Sequence, residues 1–181
     1  MNERIVRIPT IQTQRLTLRG FEERDFDAYA ELVADADVTR FLGDGSPISA
    51  ADAWRQMAMI VGHWQLRGFG LWAVEERSTG ALIGRIGLHE PGGWPGFELA
   101  YTLGKQYWGK GYATESGRAS LDHARRVLGR SEIISIIRPD NIGSIRVATA
   151  LGATRAESIE FFGAPSDIYR YPLSSSGESI E

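Results

Sequence analysis

The alternation of apolar and polar positions divides the chain into short strand-like runs and longer stretches of helical period. Residues 14–20 alternate around Leu16 and Leu18 and predict a strand. Phe26, Tyr29, Leu32 and Val33 share one helical face behind Asp25, which predicts a helix with Asp25 as its N-cap. Residues 43–47, G-D-G-S-P, predict a loop. A second helix is expected from Ser49, with Asp52 as a partial capping box and Ala53, Met57, Ile60 and Trp64 on its apolar face. It ends after Arg67, at Gly68 and Gly70, and Trp54 and Trp64 are both expected in the core. Residues 71–76 and 82–89 predict two strands around a Ser78-Thr79-Gly80 turn, and P-G-G-W-P-G at 91–96 predicts a loop tipped by Trp94, either a substrate lid or a packing residue.

Residues 97–103, F-E-L-A-Y-T-L, form an apolar run that predicts a buried strand, ended by Gly104. A glycine-bearing loop, 105–111, leads into a helix from about Tyr112, with Ala113, Ser116, Ser120, Ala124 and Val127 on one face. Residues 132–138 predict another buried strand, stopped by Pro139. Asn141 caps a short helix bearing Ile142, Ile145, Ala148 and Leu151, closed by Gly152. Residues 153–160 and 167–173 predict a final hairpin, and the polar tail from Ser174 is expected to be disordered. The order implies one α/β domain, a mixed central sheet of about seven strands flanked by about four helices. Its expected bounds are 13–173, after an N-terminal extension of 1–12 and before a tail of 174–181.

Composition changes this picture little. The 181 residues are 43% hydrophobic and 24% charged, ordinary for a globular protein, with a net charge of −3 that gives no reason to expect nucleic-acid binding. No apolar run reaches 18 residues and the N-terminus lacks a signal-like apolar core, so a cytoplasmic protein without a membrane partner is expected. There are no cysteines, which excludes disulfides, thiolate metal sites and a cysteine-borne acyl intermediate. His63, His89 and His123 are too dispersed to read as a metal site, so no metal is expected.

The chemistry-bearing signal is the strand–glycine loop–helix unit at 97–115. A helix start leaves N–H groups unpartnered and carries partial positive charge, and Gly109, Lys110 and Gly111 suit close approach of a phosphate. A dinucleotide fingerprint lacks its third glycine, since Thr114 stands there. A Walker loop fits Gly104, Gly109 and Lys110, but Gly111 replaces the magnesium-binding hydroxyl. The third pattern, Q-x-x-G-x-G, is filled by Gln106, Gly109 and Gly111.

With Y-W-G-K-G-Y-A-T-E after that pattern, T-Q-R-L-T-L-R at 13–19 and N-I-G-S at 141–144, the chain resembles the GCN5-related N-acetyltransferase (GNAT) superfamily. The likeness covers nearly its whole length and is strongest to the ribosomal-protein (RimJ/RimL-like) branch. The resemblance implies a GNAT fold in which the central strand and the next splay apart around acetyl-CoA. It implies that Gln106, Gly109, Lys110 and Gly111, with Tyr112 and Ala113 at the helix start, hold the pyrophosphate. Main-chain groups of Leu99, Tyr101 and Leu103 would pair with the pantetheine arm, Asn141 would contact it, and Lys110 and Arg146 would face the 3′-phosphate. Ser144 would lie near the thioester sulfur as a proton donor. The tyrosine acid that many members place in this helix is absent, because Ala148 holds its position. Ser144, Tyr169, Tyr171 or water must then serve.

An amine nucleophile must be neutral to attack, so a base is needed. Glu98, a carboxylate inside an apolar strand, is the first candidate and His89 the second, whereas Glu115 reads as a structural partner of the helix dipole. The implied reaction is acetyl transfer from acetyl-CoA to a primary amine by direct attack in a ternary complex. The acceptor is either a protein N-terminus or a small molecule such as an amino acid, polyamine or aminoglycoside, and the protein is expected to be a monomer or homodimer. Two rivals stand at this point: a non-catalytic acyl-CoA-binding sensor, and a magnesium-nucleotide enzyme on the near-Walker loop.

Overall fold

The computed structural model describes residues 6–172. The expected end of the domain at Leu173 and the tail of 174–181 lie outside the described residues. The chain opens with β1 (Ile11–Gln12) and β2 (Leu16–Arg19), so residues 11–12 of the expected extension pair antiparallel with the first strand of the sheet. Helix α1 (Phe26–Ala34) follows a 3₁₀ turn at Glu23–Asp25, and α2 (Ala36–Thr39) is a single turn capped by the Asp35 side chain. Helix α3 (Ala50–Arg67) starts at Ser49, whose hydroxyl accepts the Asp52 N–H, and stops at Gly68 in the left-handed region. Strands β3 (Leu71–Glu76), β4 (Leu82–His89) and β5 (Glu98–Leu103) form an antiparallel meander. Helix α4 (Tyr112–Arg126) crosses over to β6 (Ile134–Ile137), and α5 (Ile142–Ala150) leads to the hairpin β7 (Thr154–Phe161) and β8 (Ala164–Arg170).

Among the described residues the sheet has eight strands, in the order β1-β2-β3-β4-β5-β6-β8-β7, rather than about seven, and five α-helices rather than about four. The additions are the short ones. Strand β1 is two residues long and α2 is one turn, too little for a periodic signal. The mixed, single-domain α/β architecture is as expected, with β5 and β6 the parallel pair and every other neighbour antiparallel.

Strand alternation assigns the two faces. Ile86 pairs with Tyr101 and Leu88 with Leu99, and Leu99 lies beneath Gly117 of α4, so these side chains form the face packed under α4. Ile86, Leu88 and Leu99 are fully buried there, each contributing roughly 1.5–3 kcal/mol. Arg85, His89, Glu98 and Thr102 belong to the opposite face, where α1 and α3 pack through Tyr29, Leu32, Val33, Ala53 and Met57.

Four side chains depart from expectation. Asp25 stands at the expected N-cap position of α1 but makes no side-chain cap bond to it; its carboxylate accepts a bidentate pair from Arg19, at 2.7 and 2.8 Å, and the Glu22 N–H in a capping box on the 3₁₀ turn. Trp54 is exposed, whereas Trp64 is buried. Val127 and Ile142 are exposed, because each sits at a helix end beyond its neighbours' packing, and Leu121 takes the buried place on α4.

Candidate active site

The site begins where β5 and β6 part. The two strands share one register pair, Glu98 with Ile134, while β4 and β5 share six. The Phe97 carbonyl accepts the Ile134 N–H and the Leu99 carbonyl accepts the Ser135 hydroxyl, so odd-numbered main-chain groups of β5 face β6. The Gly104 N–H turns instead to Ile83 on the β4 side, which confirms that parity. Leu99 closes the single register pair, its N–H turned to β6 and its carbonyl taken by Ser135, so of the three main-chain groups expected to be open only the N–H groups of Tyr101 and Leu103 face a gap instead of a neighbouring strand. Side chains span its base. The Tyr101 hydroxyl donates to the Ser144 carbonyl at 2.9 Å, and Ser135 also meets the Tyr171 hydroxyl at 2.9 Å.

Glu98 sits at the base of this fork, 7% exposed. Its Oε1 accepts the Ile136 N–H, 3.3 Å away, and its Oε2 accepts the indole N–H of Trp94, 2.6 Å away. Burial pushes its carboxyl up to about 7; the Trp94 and Ile136 donors and the Arg85 charge pull the other way without prevailing. Trp94 is thus a hydrogen-bond donor to Glu98, and its ring also meets His89, Phe161 and Phe162 edge-on. His89, read as the second candidate, is buried rather than at a solvated strand end. Burial, the stacked His63 and the Arg85 charge hold it down at about 4, so it is neutral near pH 7.

A cleft of about 610 Å³ joins Glu98 and His89 to Asn141 and Ser144 on the α5 side and to the 41–48 loop on the α3 side. Asn141 is an N-cap, its side chain accepting the Ser144 N–H at 3.1 Å. Ser144 lines the cleft from the first turn of α5, and Arg146 is exposed on the same helix. Tyr171 lies behind Ser135, its hydroxyl raised to about 12 by burial, which makes it a weak acid.

The glycine loop lies at the far end of β5. A 3₁₀ turn, Lys105–Tyr107, follows Gly104, and the Trp108 indole anchors the loop by donating to the Leu103 carbonyl. Gly109 and Gly111 have φ of 71° and 79°, conformations that side chains resist. Gln106, Gly109, Lys110 and Gly111 are exposed together ahead of α4, and Ala113 is half-buried in its first turn. The Tyr112 side chain is buried and donates to Glu76, leaving only its main chain toward the loop. Glu115 ties the N-terminal strand to α4. It accepts the Thr13 hydroxyl at 2.6 Å, the Arg15 N–H at 2.8 Å and the Arg15 guanidinium at 2.7 Å, while Arg15 also donates to the Lys110 carbonyl.

The sequence reading did not single out Arg85, Ser135 or the Trp94–Glu98 bond. Only Arg85 left a trace, as a charge at an interior position of the apolar strand L-I-G-R-I-G-L-H.

Residues 15–154 match the acetyltransferase (GNAT) domain family. The chain belongs to the GNAT family. This GNAT protein is an acetyl-CoA-dependent N-acetyltransferase. It is 26% identical over 170 residues to the uncharacterized N-acetyltransferase p20 of Bacillus licheniformis, a match covering 91% of this chain and 95% of that one. It resembles the crystal structure of an acetyltransferase from Agrobacterium tumefaciens, with a TM-score of 0.81 and 30% identity, over 94% of this chain and 98% of that chain. RimL, a ribosomal L7/L12 alpha-N-protein acetyltransferase solved with coenzyme A, shares the fold at a TM-score of 0.78 and 18% identity, covering 93% of this chain and 100% of the other. Among the described residues no helix is long and apolar enough to cross a membrane, and no group of side chains is arranged to hold a metal.

Proposed function

We propose that this GNAT protein acetylates a primary amine by direct attack on bound acetyl-CoA, with Glu98 as the general base. The observation that carries this reading is the buried Glu98 carboxyl at the base of the fork, held near 7 beside the odd-numbered edge of β5. A base with that pKa is matched to proton removal near neutral pH.

The residues present fit the co-substrate. Tyr101 and Leu103 offer main-chain N–H groups for the amides of the pantetheine arm, whereas Leu99 is engaged with β6. Gln106, Gly109, Lys110 and Gly111, with the first N–H groups of α4 at Tyr112 and Ala113, offer a cradle for the pyrophosphate. Asn141 lines the arm's path, and Lys110 and Arg146 are exposed cations for the 3′-phosphate. Acetyl-CoA supplies the activated acyl group and a good leaving thiolate. Glu98 takes the proton of the attacking amine as the N–C bond forms and the C–S bond breaks. The bonding pair leaves with sulfur, and the Ser144 hydroxyl is placed in the cleft to protonate the thiolate. A β5 N–H aimed at the developing oxyanion is worth about 2.7–4 kcal/mol in such chemistry.

Likeness to RimL supports a protein N-terminal amine as acceptor. Arg85 in the cleft favours a small anionic amine instead. The test is a screen of amines and N-terminal peptides by thiol release, alongside calorimetry of acetyl-CoA without added metal. Binding without metal and amine-dependent thiol release are expected; metal-dependent nucleotide binding in their place would reject the reading.

A further inference from the structure

The wall of the cleft beneath α1 and α3 contains a cation that the proposed chemistry leaves unused. Arg85 projects from β4 on the same face as His89 and Glu98. Its Nε is buried without a hydrogen-bond partner, and among the described residues no carboxylate pairs with its guanidinium. The other arginines near this end are engaged: Arg19 with Asp25 and Glu75, Arg130 with Glu90, and Arg138 with the Gly43 carbonyl. A half-buried guanidinium without a partner is costly, and a planar fork of donors suits a carboxylate. Its neighbours do not supply one. The Tyr29 hydroxyl is given to Gln56, and Asp44, on the cleft's loop, accepts the Ser46 N–H. Glu98 is the nearest acid by register, but it bonds Trp94 and Ile136 rather than Arg85.

We infer that the acceptor is a small amine bearing a carboxylate, with Arg85 as its anion clamp and Glu98 as the end that receives the amine. This rests on the acetyltransferase reading above and narrows its acceptor. Arg85 lies opposite Thr102 and His89 opposite Glu98, four residues or about 13 Å along the strand. Side chains reaching inward shorten that span, so several bonds separate amine from carboxylate. Trp94, Phe161 and Met59 give the space between them apolar walls. An isolated cation at this wall disfavours polyamines and aminoglycosides, which would bring further positive charge beside Arg85.

The experiment compares α-, β- and ω-amino acids with their carboxamides, with spermidine and with peptides, by thiol release. The acids are expected to exceed their amides in kcat/KM by about 100-fold, because an amide leaves the guanidinium unpaired. Assayed on the high-pH plateau, where Glu98 is ionised with or without the Arg85 charge, Arg85→Gln should raise KM for the acids by about 10–100-fold, with kcat within a few fold and no such KM rise for the amides. Acetyl-CoA affinity by calorimetry should not move. If Arg85→Gln fails to fold, the acid-to-amide ratio of the unaltered protein decides alone. Acetyl-CoA binding with preferred turnover of amides, spermidine or peptides would overturn this inference and leave the acetyltransferase reading standing. Absence of acetyl-CoA binding would overturn both.

Discussion

At Glu98 two opposing demands meet in one side chain. Burial raises the carboxyl to about 7, while the Trp94 indole and the Ile136 N–H stabilise the ionised form. Glu98→Gln should lower kcat by ~10²–10⁴-fold with acetyl-CoA affinity retained, and the loss should partly recover at high pH as more amine is neutral. A kcat profile over about pH 6–9 and calorimetry measure both; unchanged kcat in a folded variant would remove Glu98 as the base. Trp94 provides a second probe of the same carboxyl. Trp94→Phe removes a donor that holds the pKa down, so the acid limb of the kcat/KM profile should move to higher pH, with the plateau retained. An unmoved limb would show that Glu98 does not set it. Glu98 could be singled out from sequence because a carboxylate in F-E-L-A-Y-T-L conflicts with its surroundings. Arg85 could not, because its significance is the absence of a partner, which depends on which strands and helices surround it.

Elements with local determinants were legible to the residue. Strands β3 and β4 have the expected bounds because their turn is written between them, and α3 carries its period and both its stop signals in one continuous stretch. The place of Asp25 ahead of α1 was legible, but the partner of its carboxylate was not, because Arg19 lies on another element. The fork was legible only through resemblance, since strand patterning does not say where two strands stop pairing. The glycine loop carries the prediction at this scale. Gly109→Val and Gly111→Val each force a β-branched residue into the left-handed region and place methyl groups where a phosphate would approach. Acetyl-CoA affinity should fall by at least about fivefold in either variant, the equivalent of the roughly 1–2 kcal/mol strain alone. Equal affinities in calorimetry would relocate the phosphate cradle.

For the molecule as a whole, the paired His89 and Glu98 contribute opposing slopes to stability in the mildly acidic range, while His123, also held down by burial, adds a slope of the same sign as His89. Glu98, raised to about 7, costs stability as pH rises from its unfolded value near 4.5, because the unfolded chain ionises first. His89, held down at about 4, costs stability as pH falls from 6.5, because the unfolded chain takes the proton first. The Glu98 and His89 slopes oppose each other between those limits. Glu98→Gln should expose the His89 slope, with stability rising by up to about 3 kcal/mol from pH 4 to 6.5, and less where the ring reaches solvent. His89→Phe should move the slope the other way in denaturant titrations, and parallel profiles in the two variants would refute the opposition. A different consequence follows from Arg15, which donates to the Lys110 carbonyl across 95 positions of sequence. The glycine turn at 109–111 is finished by a residue synthesised long before it, so its final geometry waits on closure of the longest loops in the fold. Arg15→Ala should therefore speed amide hydrogen exchange at 109–111 while the exchange of the β4 and β5 amides, which reports global unfolding, stays slow.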